Sequence, residues 1–260
     1  MTKSEPWYAI FSGRFRGDQP FFYDPQDLEW AQVFEDNWET IRDELFALSK
    51  ENPERVQPYS FNHAMAFPPK HWKTMGIMFW GLRMHENYKK CPKTVEIMKS
   101  VPGVTSLSMS ILEPGSNINP HQGDTDAVYR CHLGIKVPAP LPDCGFQVGT
   151  EIKGWEEGKL LVFCDAQTHT AWNQSDERRI VVIFDVMRPE FHGQTRSICA
   201  HVLASMLIQQ LYTRNAWLTK LQAWVKRWMY EVFRVLFLVY IPLQQRLGGG
   251  FRRETLPDRE

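Results

Sequence analysis

Between residues 105 and 188 the chain breaks into short runs of β-formers: "SLSMSIL", "VYRCHLGIKV", "FQVGTEI", "KLLVFCD" and "RIVVIFDVM". Turn-forming stretches separate them: "EPGSN", "PAPLPDCG", "GWEEGK" and "NQSDER". Several short strands at regular spacing predict a β-sandwich or barrel, because each strand hides one face only by packing on another sheet. This pattern limits the fold more than any other feature of the chain.

Helical segments flank the β-rich region. The stretch "FFYDPQDLEWAQVFEDNWETIRDELFALSK" predicts a helix: Asp24 suits the N-cap, Pro25 the first turn, and Asp27 the positive end of the helix dipole. Trp30, Phe34, Trp38, Ile41, Leu45 and Leu48 recur at helical spacing, a stripe that would pack on a core. Residues 51–70 are Pro-rich and predict irregular chain, and Pro92–Lys99 predicts a second helix ended by "SVPG". After Arg196 the chain turns helical again. Trp217, Leu218, Leu221, Trp224, Val225, Trp228, Met229, Val232, Leu236 and Val239 form an apolar stripe, with Lys220, Lys226, Arg227 and Arg234 off it. This helix should end with "VLFLVYIPL", before "GGG" and a polar tail. No internal repeat or low-complexity segment is present.

At 260 residues and 43% hydrophobic content, the chain can bury a sizeable core as one large domain, or as one domain with an appendage. Lys+Arg and Asp+Glu both number 30, so net charge offers nothing for nucleic acid. Residues 197–260 nevertheless hold nine basic and four acidic residues, a net of +5, which leaves −5 for residues 1–196. Cys91, Cys131, Cys144, Cys164 and Cys199 lack CxxC spacing and are odd in number, as expected of reduced thiols. The start, "MTKSEPWYAIF", has no apolar secretion core. The expectation is a cytoplasmic protein, with a peripheral membrane contact as the variant reading. A span needs roughly 20 apolar residues, and only 11 uncharged ones separate Arg234 from Arg246, with Pro242 among them. The basic, Trp-rich stripe at 197–245 therefore reads either as a surface packed on the domain or on a second subunit, or as a helix lying on a membrane.

Side chains two apart on a strand share a face, so Arg130 and His132 point together within "VYRCHLGIKV". They face either solvent or a barrel interior holding an anion. His121 in "NPHQG" and His169 in "AQTHTAWN" lie at strand exits, where barrels carry function. Each is followed by an arginine, Arg130 nine and Arg179 ten residues on. Imidazoles suit a transition metal such as Fe(II), and guanidinium forks suit carboxylates. Iron sites of the two-His-one-carboxylate kind usually place the acid two residues after the first His. That position is Gly123, with Asp124 and Asp126 close by.

The motifs "SMSILEPGSNINPHQG", "RCHLGIKVP", "VGTEIKGWEEGKLLVFCDAQTHTAWN" and "RRIVVIFDVMRPEF" together resemble the aspartyl/asparaginyl β-hydroxylase family of Fe(II)- and 2-oxoglutarate-dependent dioxygenases. The resemblance covers roughly residues 18–191. It implies an α+β fold with a double-stranded β-helix (jelly-roll, cupin-like) core, N-terminal flanking helices and a C-terminal helical extension. The expected division is a dioxygenase domain at 1–196 and a helical, basic extension at 197–260. The resemblance makes His121 and His169 the metal ligands, with water where a third carboxylate would sit, as Gly123 befits. It makes Arg179 the partner of the distal carboxylate of 2-oxoglutarate and adds Ser110, Arg130 and His132 to the cosubstrate site. Asp165 matches the acidic position before the second His, and reads either as an orienting carboxylate or as a strand-end turn residue. Trp155, Trp172 and Asp185 read as structural, and Asp124 and Asp126 have no strong functional claim. The implied reaction, with O2, hydroxylates an unactivated C–H bond. The prime substrate would be an Asp/Asn-type residue or amino-acid derivative, or alternatively the acyl chain of a lipid A-type molecule at a membrane surface. A non-catalytic metabolite-binding barrel, a halogenase and a zinc hydrolase are the readings from other classes.

Overall fold

The computed structural model describes residues 5–59 and 65–247. The GGG stop, the polar tail after it, the first four residues and 60–64 of the Pro-rich stretch lie outside the described residues.

Two antiparallel sheets face each other. Eight successive strands build them: Val104–Leu112, Ser116–His121, Val128–Lys136, Cys144–Val148, Glu151–Lys153, Leu160–Cys164, His169–Asn173 and Arg179–Met187. The first, third, sixth and eighth belong to the larger sheet, and the others to the smaller one. The chain thus winds back and forth between sheets as a double-stranded β-helix, the jelly roll. Strand Trp72–Phe79 extends the larger sheet beside Val104–Leu112, and Phe22–Tyr23 pairs at the opposite edge with Phe163 and Val162.

The run "RIVVIFDVM" becomes a central strand, flanked by Val104–Leu112 and Val128–Lys136. Its near-continuous apolar character follows from burial on both faces. Ile180, Val182, Phe184 and Val186 face a core shared with the flanking helices, whereas Val181 and Ile183 join the apolar cluster between the sheets. Phe184 stacks on Phe34 at 3.9 Å, which pins helix Ala31–Asp36 to the outer face.

The single N-terminal helix expected over residues 21–50 is divided. Asp24 does cap, accepting from the Gln26 amide at 2.9 Å, but the element it starts is a 3-10 turn, Pro25–Asp27. Helix Ala31–Asp36 and helix Trp38–Glu51 follow, separated at Asn37, whose Nδ2 donates to the Val33 carbonyl. The core stripe survives this break, with Phe34, Ile41, Leu45 and Leu48 all buried. The second helix forms as Pro92–Ser100. "FQVGTEI" is two strands with a turn at Gly149, whose φ of +56° suits glycine.

Helix Thr195–Arg214 packs Ile198, Val202 and Leu203 against Ala127, Val128 and Met187 of the barrel. Helix Ala223–Leu247 packs on it in turn and runs through Pro242. Gln244 is buried and pairs with both backbone groups of Arg83, at 3.2 and 2.7 Å. None of the described helices is long and apolar enough to cross a membrane.

Candidate active site

His121 ends one strand of the smaller sheet, and His169 begins the strand beside it. The two are cross-strand partners, so backbone pairing alone brings the rings together, with centroids 4.1 Å apart. In each ring Nδ1 meets a carbonyl two residues upstream: Asn119 O at 2.9 Å for His121 and Gln167 O at 2.8 Å for His169. A neutral imidazole that donates from Nδ1 presents its lone pair on Nε2. Both rings are held neutral. Burial pushes His169 down to about 4, and burial reinforced by the neighbouring His169 pushes His121 down to about 3. Two neutral, pre-oriented imidazoles form a donor set for a divalent transition metal. Among the described residues no group of three His, Cys, Asp or Glu side chains could hold a metal.

Across the pocket, Arg179 is 1% exposed, and its Nε and Nη1 have no hydrogen-bond partner. The face of Trp155 lies against it, 4.6 Å from the guanidinium carbon to the ring centroid. Burial lowers its pKa to about 10. An unpaired buried guanidinium is costly, and a carboxylate in the pocket would relieve it with two charge-assisted bonds. Arg130 has opposite surroundings. Its Nε and Nη2 donate to the two oxygens of Asp185, at 2.7 and 3.0 Å, and Nη1 donates to Asp165 Oδ1 at 2.7 Å. Burial alone would lower its pKa, but these carboxylates outweigh burial and raise it. Ser110 Oγ accepts from Trp72 Nε1 at 2.9 Å, which leaves its proton free to donate. His132 Nδ1 accepts from Trp155 Nε1 at 3.3 Å, so its Nε2 carries the proton. Burial, then Arg179, keeps this ring neutral too.

Asp165 is fully buried. Its Oδ1 lies 3.7 Å from His169 Nε2 and its Oδ2 has no partner. Burial raises its pKa against the pull of Arg130. Gly123 explains how it fits: a Cβ at position 123 would fall 1.6 Å from Asp165 Oδ2. The Asp165 carboxylate thus fills the space that a side chain at the usual third-ligand position would occupy. The Gly123 amide also donates to the Asp165 carbonyl at 2.7 Å.

Matches to known proteins agree with this architecture. Residues 35–189 match the family model described as aspartyl/asparaginyl beta-hydroxylase. The chain belongs to that family. It is 34% identical over 172 residues to the ornithine lipid ester-linked acyl 2-hydroxylase of Rhizobium tropici, covering 65% of this chain and 61% of the relative. It is 31% identical over 202 residues to human aspartyl/asparaginyl beta-hydroxylase, covering 75% of this chain and 24% of that protein. Human aspartate beta-hydroxylase domain-containing protein 2 matches at 29% over 196 residues, 71% of this chain and 52% of the relative. The chain thus spans less than two-thirds of the length of each.

The six residues singled out in this hydroxylase-family chain, Ser110, His121, Arg130, His132, His169 and Arg179, all line one pocket. Trp72, Ile118, Phe146, Thr170, Ala171 and Ile183 complete its wall. Asp124 and Asp126 are engaged elsewhere. Asp126 accepts from the Trp7 amide and from Gln19 Nε2, at 2.7 and 3.1 Å, and Asp124 Oδ1 lies 3.5 Å from Ser205 Oγ. Arg130, which the resemblance adds to the cosubstrate site, has its Nε, Nη1 and Nη2 all engaged by Asp185 and Asp165. Trp155, read as structural, touches both Arg179 and His132, and Asp185 braces Arg130. Trp72, not singled out at all, orients Ser110 and stacks on Tyr59 at 3.9 Å.

Proposed function

We propose that this protein is an Fe(II)- and 2-oxoglutarate-dependent hydroxylase. The observation that carries this reading is Arg179, a buried guanidinium with unpartnered Nε and Nη1, in the same pocket as two neutral, paired imidazoles. His121 and His169 would hold Fe(II) through Nε2. Arg179 would bind the distal carboxylate of 2-oxoglutarate, helped by the Ser110 hydroxyl and the His132 Nε2 proton. Arg130 would hold Asp165 beside the histidine pair, with Asp165 Oδ1 3.7 Å from His169 Nε2. Fe(II) held by the two histidines would supply, with 2-oxoglutarate and O2 as cosubstrates, the oxidation that converts C–H to C–OH as 2-oxoglutarate becomes succinate and carbon dioxide. The apolar walls exclude water from that chemistry.

For the prime substrate we favour a lipid acyl chain. Beyond the polar groups already assigned, the wall offers Ile118, Phe146, Ala171 and Ile183, which suit methylene groups. Support also comes from the Rhizobium relative, named for hydroxylating an acyl chain at C2. The second reading, an Asp or Asn residue, is favoured by the human relative that matches 75% of the chain.

The test is succinate release from 2-oxoglutarate by purified protein with Fe(II) and ascorbate. Slow release should occur without prime substrate and should disappear in both His121→Ala and His169→Ala. Release that persists in either variant contradicts the ligand assignment. Screening lipid extracts, amino acids and Asp/Asn peptides for accelerated release, and for products that gain one oxygen, then decides between the substrates.

A further inference from the structure

The last helix buries one apolar face and leaves a second exposed. Helix Ala223–Leu247 carries two apolar faces. Tyr230, Phe233, Phe237 and Ile241 lie on the face packed toward helix Thr195–Arg214 and the barrel. On the other side Trp224, Trp228, Val235, Leu236, Val239 and Leu243 are exposed, Trp224 by 69% and Val239 by 63%. Their steps of three, four and seven residues make one continuous stripe on the helix. Trp217, in the preceding turn, is 62% exposed as well. A contiguous exposed apolar stripe of this kind marks an interaction surface.

Charge selects the partner. Arg214, Lys220 and Arg227 are exposed near the tryptophan end, and Arg246 is exposed near the other. Among the described residues none of the four joins an ion pair. Residues 195–247 contain one acidic residue, Glu231, which Arg234 holds at 2.7 Å. A second copy of this face would bring like charge against like charge. A bilayer with anionic headgroups accepts both features: indoles settle at the headgroup boundary, aliphatic side chains enter the acyl layer, and free cations meet phosphates. No described helix can span the bilayer, so the helix would lie in its plane. We propose that the outer face of Ala223–Leu247 docks this protein on an anionic membrane surface. This inference rests on the helix and the turn before it and stands whichever substrate the pocket takes.

Flotation of the full chain with vesicles tests it without turnover. Vesicles of equal parts phosphatidylcholine and phosphatidylglycerol should carry the protein upward. Binding should fall about tenfold on phosphatidylcholine alone or at high salt. The triple variant Trp224→Gln, Trp228→Gln, Leu236→Gln should lose about tenfold or more in binding while keeping its far-ultraviolet circular dichroism. Lys220→Glu with Arg227→Glu should remove the preference for anionic vesicles. Brominated phosphatidylcholine mixed with phosphatidylglycerol should quench the wild-type tryptophan fluorescence, a reading that needs no variant to fold. The proposal is overturned if wild type fails to float with anionic vesicles, if the triple variant floats equally well, or if brominated lipid leaves the fluorescence unchanged. It is also overturned if light scattering shows a dimer that the triple variant dissociates, because the stripe is then a subunit contact.

Discussion

Arg130 and Arg179 line the same pocket from adjacent strands of one sheet, yet their surroundings are opposite. Arg130 is bound by two carboxylates that reach it from 35 and 55 residues away in sequence. Arg179 is more deeply buried, lies against the Trp155 ring, and among the described residues has no carboxylate partner. A cation whose charge is met within the fold serves as a brace, and a cation left unmet marks the place of a ligand. The difference separates two arginines that residue type alone would leave equal.

The largest expected effect exposes this contrast as stability. Arg130→Met should destabilise the apoprotein by about 3–5 kcal/mol, because Asp165 and Asp185 then remain buried without their counter-charge. Arg179→Met should leave the apoprotein as stable as wild type or more so, since it removes an unpaired buried cation. Urea unfolding of both variants checks this, and equal losses would break the comparison. Next is Gly123→Ala. Its Cβ cannot coexist with Asp165 in place, so it should cost about 1–3 kcal/mol by overpacking. Asp165→Ala in the same chain should recover part of that loss. An additive double variant would show that the two positions do not compete for one space.

The pH dependence has a definite sign. Both candidate ligand histidines titrate far below the unfolded value near 6.5. The unfolded chain therefore binds protons at these positions first as pH falls. Their contribution to apoprotein stability is complete above about 6.5 and is lost as pH drops toward about 3. Asp124, pushed up to about 6 chiefly by burial, contributes the opposite slope. The histidine share is thus the difference between wild type and His121→Gln/His169→Gln, whose unfolding free energy should fall less steeply between these limits. Parallel slopes would contradict the assignment. The smallest effect concerns Trp155. Trp155→Phe keeps an aromatic face for Arg179 but removes the bond to His132. It should raise the 2-oxoglutarate requirement only about 3- to 10-fold, on the order of 1 kcal/mol. Succinate release against 2-oxoglutarate concentration measures it, and a rise as large as that from Arg179→Met would mean Trp155 does more than orient His132.

How far the fold can be read from the sequence differs between elements for physical reasons. Arg179–Met187 is legible to its ends because burial on both faces demands an apolar run. The strands carrying His121 and His169 are not, since "SNINPH" and "HTAWN" lack β-branched alternation. They are strands because the closing sheets pair them with each other and with Cys144–Val148. The candidate ligands are visible as residue types in a motif, whereas their partners are not. Asp165 meets Gly123 from 42 residues away in sequence and Trp72 meets Ser110 from 38, and no local pattern encodes such encounters. The helix break at Asn37 involves no Pro or Gly; there the Asn37 side chain donates to the Val33 carbonyl.

The account depends most on the pocket binding a metal and a dicarboxylate together. Anaerobic calorimetry of 2-oxoglutarate binding, with and without Fe(II), measures this directly and needs no prime substrate. The account predicts binding that requires Fe(II), is lost in His121→Ala and weakens about 100-fold, on the order of 3 kcal/mol, in Arg179→Met. Binding that ignores the metal, or that is undiminished in Arg179→Met, would contradict it.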